Sequence, residues 1–174
     1  MRHLRSLLLG CIAATFVTSS GGIASDFLGD GTGGYGTLFD FEGFYLGGAV
    51  GGAALPDAGV VGTTGVVVGA NFAVTDAIVS GVEFQGDLLW DGGLTGFNTL
   101  LLGKLGGYLT DNMVLYGTAG GGFLDGDGSY AFGAGLEMAV AQQLSVRGEA
   151  MGTGNWGGGP NGAKATVGVL WHMN

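Results

Sequence analysis

The tightest constraint on this chain is the placement of its charges in segments of alternating character. In the stretch GVEFQGD, residues 81–87, Val82 and Phe84 lie on one side of an extended chain, while Glu83, Gln85 and Asp87 lie on the other. The same separation recurs along the sequence. One parity carries Phe44, Leu46, Val50, Val66, Val68, Phe72, Val82, Phe84, Leu88, Leu101, Leu105, Leu115, Phe132, Leu136, Val146, Val167 and Val169, and no charged residue. Glu83, Asp87, Lys104, Glu137, Arg147, Glu149 and Lys164 all fall on the other parity, among small or polar residues such as Gly47, Gly69, Asn71, Thr118, Gly133 and Thr166.

Eight such segments are expected, at 44–54, 65–74, 78–90, 97–109, 113–123, 130–140, 144–153 and 163–173. Their breaks alternate in kind. TDA (75–77), TDN (110–112) and AQQ (141–143) read as tight turns, whereas 55–64, 91–96, 124–129 and 154–162 read as longer connections. An even number of strands with that asymmetry predicts an all-β, antiparallel, up-and-down transmembrane β-barrel of eight strands. The faces decide which side is buried. A sandwich core needs large interdigitating side chains, but an eight-stranded barrel leaves an interior that side chains just fill. Small residues and a few long polar ones suit that interior, and the apolar face then meets lipid. A soluble lipocalin-like barrel would exchange the faces, placing seven charges in water and the aromatic residues inside.

The N-terminus supplies the expected route to a membrane. Arg2, His3 and Arg5 precede the apolar run SLLLGCIAATFV, and SSGGIAS offers a cleavage site after Ala24, so residues 1–24 read as a signal peptide. Residues 25–43 read as a Gly-rich lead-in and 44–174 as an outer-membrane barrel. The lone Cys11 falls within the signal, so no disulfide framework is expected. After cleavage the formal charge would be 3 − 14 = −11. A chain this acidic is a poor partner for nucleic acid. Its 41 glycines would suggest disorder but for a hydrophobic share of 47%.

The candidate site is the set of interior charges. Glu83, Asp87, Lys104, Glu137, Arg147 and Glu149 are expected to form a structural network in the lumen, since buried charges need partners. A turn centred on Gln142 sets Glu137 opposite Arg147, and a looser count sets Glu83 against Lys104. Aromatic residues fall near the two ends of the meander: Phe44, Phe72 and Trp171 at one, Trp90, Phe97, Phe123 and Tyr130 at the other. They read as interfacial girdles. No cofactor, metal or catalytic residue is expected. His172 is the single histidine after the signal, and a serine–histidine arrangement would need Ser80, Ser129 or Ser145 beside it. DGDGS (125–129) and GDGTGG (29–34) match no calcium loop and read as flexible acidic segments.

The segments GFYLGGAVGG (43–52), GVEFQGDLLW (81–90), KLGGYLTDNMVLYGTAGGGF (104–123), GAGLEMAV (133–140) and LSVRGEA (144–150) resemble the small outer-membrane β-barrel surface antigens of alphaproteobacteria, relatives in architecture of the OmpA transmembrane domain. The resemblance implies an eight-stranded barrel with periplasmic termini, no cofactor and a role in envelope integrity or at the cell surface. The expected partners are outer-membrane lipid and, during insertion, the barrel-assembly machinery, with the protein a monomer. Two other activities fit the same architecture: a lipid-modifying barrel enzyme using His172, or a narrow channel.

Overall fold

The computed structural model describes residues 39–55 and 59–173. Eight strands follow in order: β1 Gly43–Leu55, β2 Gly59–Thr75, β3 Ile78–Trp90, β4 Leu94–Thr110, β5 Met113–Leu124, β6 Asp127–Ala141, β7 Leu144–Asn155 and β8 Gly162–Met173. Each pairs antiparallel with its sequence neighbours, and β1 also pairs with β8 from Phe44 opposite Met173 to Ala54 opposite Ala163. The sheet therefore closes into a barrel in which every strand has two partners and no edge is exposed. Strand number, order and direction are those expected. The proposed signal peptide, most of the lead-in and Asn174 lie outside the described residues.

The connections differ from expectation. β2 begins at Gly59 instead of 65, β4 at Leu94 instead of 97 and β6 at Asp127 instead of 130. The links expected to be long shrink to 56–58, 91–93 and 125–126, and only 156–161 is extended. The reason at 125–126 is local: Asp125 and Gly126 both hold positive φ, 51° and 91°, as the primed turn of a two-residue hairpin requires. DGDGS is thus a tight Asp-Gly turn entering a strand, not a flexible acidic loop. The Asn98 side-chain carbonyl caps it by accepting from the Asp125 amide at 3.0 Å.

Side-chain alternation sorts the faces as the sequence reading expected. Val82, Phe84 and Leu101 are 55%, 44% and 63% exposed on the outside, while Glu83, Gln85 and Asp87 are buried inside the ring. The interior, however, is more apolar than expected. Leu100, Leu102, Ala131 and Met151 pack together, and Ala53, Val61 and Leu89 form a second cluster toward the end that carries links 56–58 and 91–93. The run LLL at 100–102 shows no alternation of its own, but Lys104 inward and Leu105 outward set its parity, and the pairing agrees. β4 sets Leu101 opposite Phe84 and Gly121, turning Leu100 and Leu102 inward.

Interior glycines give the large side chains their room. Tyr45 pairs directly with Gly69, and a Cβ on Gly69 would lie 2.3 Å from the Tyr45 ring. Tyr116 pairs with Gly135 in the same way, where a Cβ would lie 2.3 Å from the phenol oxygen. Each ring lies flat over the wall because its partner lacks a side chain. Gly69→Ala is therefore expected to cost about 1–3 kcal/mol through overpacking, and much less beside Tyr45→Leu. Urea unfolding of the two single variants and the double variant checks this. Simple additivity would show that the ring does not need the gap.

Candidate functional site in the barrel interior

Strand β3 presents Glu83, Gln85 and Asp87 as one inward ladder, two residues apart. The Arg147 guanidinium on β7 reaches across the interior to ion-pair with Glu83. Glu83 also accepts from the Tyr45 hydroxyl and, at 2.7 Å, from the Gln85 amide. The same Gln85 nitrogen donates to Glu149 at 2.8 Å, so one neutral amide sits between two carboxylates. Glu149 accepts in turn from the Tyr116 hydroxyl at 3.0 Å. Lys164 donates to the Gln85 carbonyl at 2.7 Å and pairs with Asp87 at 2.6 Å. The polar groups thus form one continuous chain from Asp87 to Tyr45 and Tyr116.

A second group centres on Glu137. It accepts from the Ser145 hydroxyl at 2.7 Å, meets His172 Nε2 at 2.9 Å and lies 3.5 Å from Lys104 Nζ. The Lys104 ammonium is also held over the Tyr45 and Tyr116 rings, 4.8 and 4.6 Å from their centroids. Four carboxylates and three cations share the interior, a formal sum of 3 − 4 = −1 with His172 neutral.

All six expected residues, Glu83, Asp87, Lys104, Glu137, Arg147 and Glu149, are buried in this interior. Of the two expected facings, Glu137 with Arg147 is found and Glu83 with Lys104 is not. Glu137 does stand opposite Arg147 in the β6–β7 register, yet Arg147 binds Glu83. Both side chains leave the wall toward the barrel axis, so the longer one meets the far wall before its neighbour. Lys104 pairs in register with Gly81, and Glu83 with Leu102, because the β3–β4 ladder turns around a shorter link and an irregularity at Leu89/Trp90. Lys104 binds Glu137 instead. Tyr45, Gln85, Tyr116 and Lys164 complete the network. Their inward parity was readable in the sequence, although the partner each would take was not.

His172 gathers a serine and an acid, but not in the order acyl transfer needs. Ser145 Oγ, at 3.1 Å, and Glu137 Oε1 both approach the same ring nitrogen, Nε2, and Nδ1 has no hydrogen-bond partner among the described residues. A nucleophile–base–acid relay requires the acid on the other nitrogen. Here Glu137 and Ser145 crowd the same ring nitrogen, and the Ser145 hydroxyl itself donates to Glu137. Ser129 bonds Asp127 and Asn155 at the far end of the barrel, and Ser80 lies on the outward parity. Among the described residues, no group of three or more His, Cys, Asp or Glu is placed to hold a metal.

The end of the lead-in closes over this histidine. FDF (39–41) alternates, so Phe39 and Phe41 both turn into the barrel mouth and pack with Val79, Val114 and Tyr116. Their rings meet His172 edge-on at 4.9 and 5.9 Å. Asn71 fixes the strap by donating to the Phe41 carbonyl at 2.8 Å. Residues 39–41 of the expected lead-in thus pack against the barrel strands. The alternation in FDFE was the available signal.

On the outside, Phe44, Phe72, Trp90, Phe97, Phe123 and Trp171 are all more than half exposed, and Tyr130 is half-buried against Phe132 and Trp156. Trp90 lies over Gly62, its partner in β2, where a Cβ would come within 2.4 Å of the ring.

No protein-family model matches the chain, and no curated protein matches it. Among solved structures, one described as "De novo design of transmembrane beta-barrels" is similar, with a TM-score of 0.48 and 19% sequence identity. The match covers 77% of this chain and 98% of the designed one.

Proposed function

We propose that this protein is an integral outer-membrane barrel with a structural, non-catalytic role in the cell envelope, exported by its N-terminal signal. The observation that carries the reading is the exterior: every charged side chain within a strand has the inward parity, while large apolar residues stand exposed around the outside. In water such a surface would be a severe aggregation hazard; in a bilayer it is the required one. The closed hydrogen-bond ladder leaves no strand edge for lipid to meet. Ten positions on β2 separate Phe72 from Gly62, the partner of Trp90. At a rise of about 3.3 Å and a tilt of about 40°, that is an apolar band of about 25 Å.

Within that reading the interior serves as packing. The polar chain from Asp87 to Tyr116, the apolar clusters and the Phe39–Phe41 strap fill the space a channel would need. The His172 geometry favours the same role over lipid modification. The segments that resemble the alphaproteobacterial surface antigens, and their order, are the ground for placing it among them, with membrane lipid and the assembly machinery as partners and a monomer as the working form.

The test is fractionation followed by topology. The protein is expected with outer membranes, and its gel mobility should change between unheated and heated samples. Tags at 91–93 or 156–161 should be reached on intact cells, and tags at Asp76–Ala77 or Gln142–Gln143 should not. Recovery as a soluble periplasmic protein without detergent would overturn the reading.

A further inference from the structure

His172 is fully buried near the end of β8, and its two ring nitrogens have different surroundings. Nε2 meets Glu137 Oε1 at 2.9 Å and Ser145 Oγ at 3.1 Å, whereas Nδ1 has no hydrogen-bond partner among the described residues. Phe39 and Phe41 cover the ring edge-on at 4.9 and 5.9 Å, and Tyr45 tilts against it at 5.5 Å. A neutral imidazole needs a proton on only one nitrogen, so this enclosure suits it. An imidazolium carries a proton on both, and its Nδ1–H would be a buried charged donor without an acceptor. The strands around the ring are locked by their ladders, but the strap at 39–42 belongs to no strand. It is held by the burial of its two phenylalanines and by the Asn71 bond to the Phe41 carbonyl. Gly43 joins it to β1 at a φ of 85°, a hinge conformation that glycine takes without strain.

We infer that the strap is an acid-released latch: when His172 takes up a second proton, residues 39–42 swing out about Gly43 and water reaches Nδ1. The latch needs only the barrel, whatever surrounds it. Glu137 favours the imidazolium, and Lys104, 3.5 Å from Glu137, opposes it. Neither belongs to the strap, so both contacts persist when it leaves. Only the solvation of Nδ1 differs between the two forms. The open form therefore binds the proton more tightly, and falling pH shifts the population toward it. The strap's own acids act in the opposite direction. Asp40 and Glu42 are exposed, and with Asp76 and Asp111 they line a cavity of about 450 Å³ at this mouth. Neutralising them would relieve repulsion and hold the strap in. Imidazoles in general change charge between about pH 5 and 8, above the range of carboxylates, so release comes first.

The experiment uses the full-length mature protein in detergent micelles and a chymotrypsin-type protease, which can cut after Phe39 or Phe41 only when the ring has left the mouth. Each rate is divided by that of a free FDFE peptide at the same pH, so that it reports the open population. The wild type should be cut about tenfold faster at about pH 5 than at about pH 8, as one unsatisfied buried donor implies. His172→Gln keeps a side-chain amide but cannot be charged, and it should be cut equally at both. Phe39→Gln leaves His172 in place and brings an acceptor to the ring, so cleavage after Phe41 should lose most of its pH dependence. Asn71→Ala, which removes the tether, should raise cleavage by the same factor at both pH values. Cleavage after Tyr116 in β5 reads the opening of the whole barrel. A pH effect that Tyr116 shares, or that survives in His172→Gln, would overturn the latch. If that variant does not fold, an undiminished effect in Phe39→Gln would do the same. Slower cleavage in acid would also overturn it, and would assign control of the strap to the four carboxylates at the mouth.

Discussion

Replacing Arg147 with methionine is expected to cost about 3–5 kcal/mol of unfolding free energy in lipid vesicles, the range found when one partner of a buried ion pair is removed. The side chain is 3% exposed and its charge neutralises Glu83, which is buried more deeply still. Without Arg147, Glu83 keeps, among the described residues, the Tyr45 hydroxyl and the Gln85 amide as hydrogen-bond donors. The interior would then hold four carboxylates against two cations. Glu83→Gln alone should cost less, because an amide oxygen can still accept from both neighbours, although Arg147 is left without its carboxylate. The double variant should be more stable than the sum of the two singles by about 1–3 kcal/mol. Denaturant titrations of the four proteins measure that coupling. A single-variant cost for Arg147→Met below about 1 kcal/mol would show that the interior is hydrated enough to carry the charge unpaired.

How far the sequence foretold this molecule depends on whether a feature follows from alternation or from register. The parity of GVEFQGD placed Glu83 inside and Phe84 outside, because a strand's two faces follow from its own residues. Eight alternating segments and their short turns likewise gave the closed meander. Register could not be counted so well. The expected facing of Glu83 and Lys104 failed by two positions, since the link after Trp90 is three residues long and the ladder shifts beside it. A two-residue turn at Asp125–Gly126 was also readable in principle, as Asp-Gly between alternating runs is a strong hairpin signal. The pairing of Arg147 with Glu83 lay beyond any local count: it joins β7 to β3 across the barrel, and side-chain length decides it. Leu100 and Leu102 had the right parity from Lys104 and Leu105, but their packing with Ala131 and Met151 joins different strands and lay beyond a local count. The strap was lost because glycine upstream masked a two-aromatic alternation that begins at Phe39.

Phe84→Arg is expected to destabilise the barrel in lipid by about 2–4 kcal/mol, while Leu94→Arg costs no more than about 1 kcal/mol. Both side chains are outward, and Leu94 is the more exposed of the two, at 73% against 44%. Exposure to water would therefore predict that neither change matters, and that an arginine improves solubility. The membrane reading reverses that expectation by depth. Phe84 is the middle residue of β3, flanked by Val68 and Leu101, whereas Leu94 opens β4 beside Trp90. An arginine at the midplane must thin the bilayer or draw water inward; one at the rim reaches head groups with its own length. Phe84→Leu is the control for the lost ring and should be nearly neutral, because it keeps the site apolar and its neighbours are aliphatic. Folding free energies of the three variants in the same vesicles decide the matter. If Phe84→Arg and Leu94→Arg cost the same small amount, the outer face of β3 is bathed in water, and this barrel does not span a membrane.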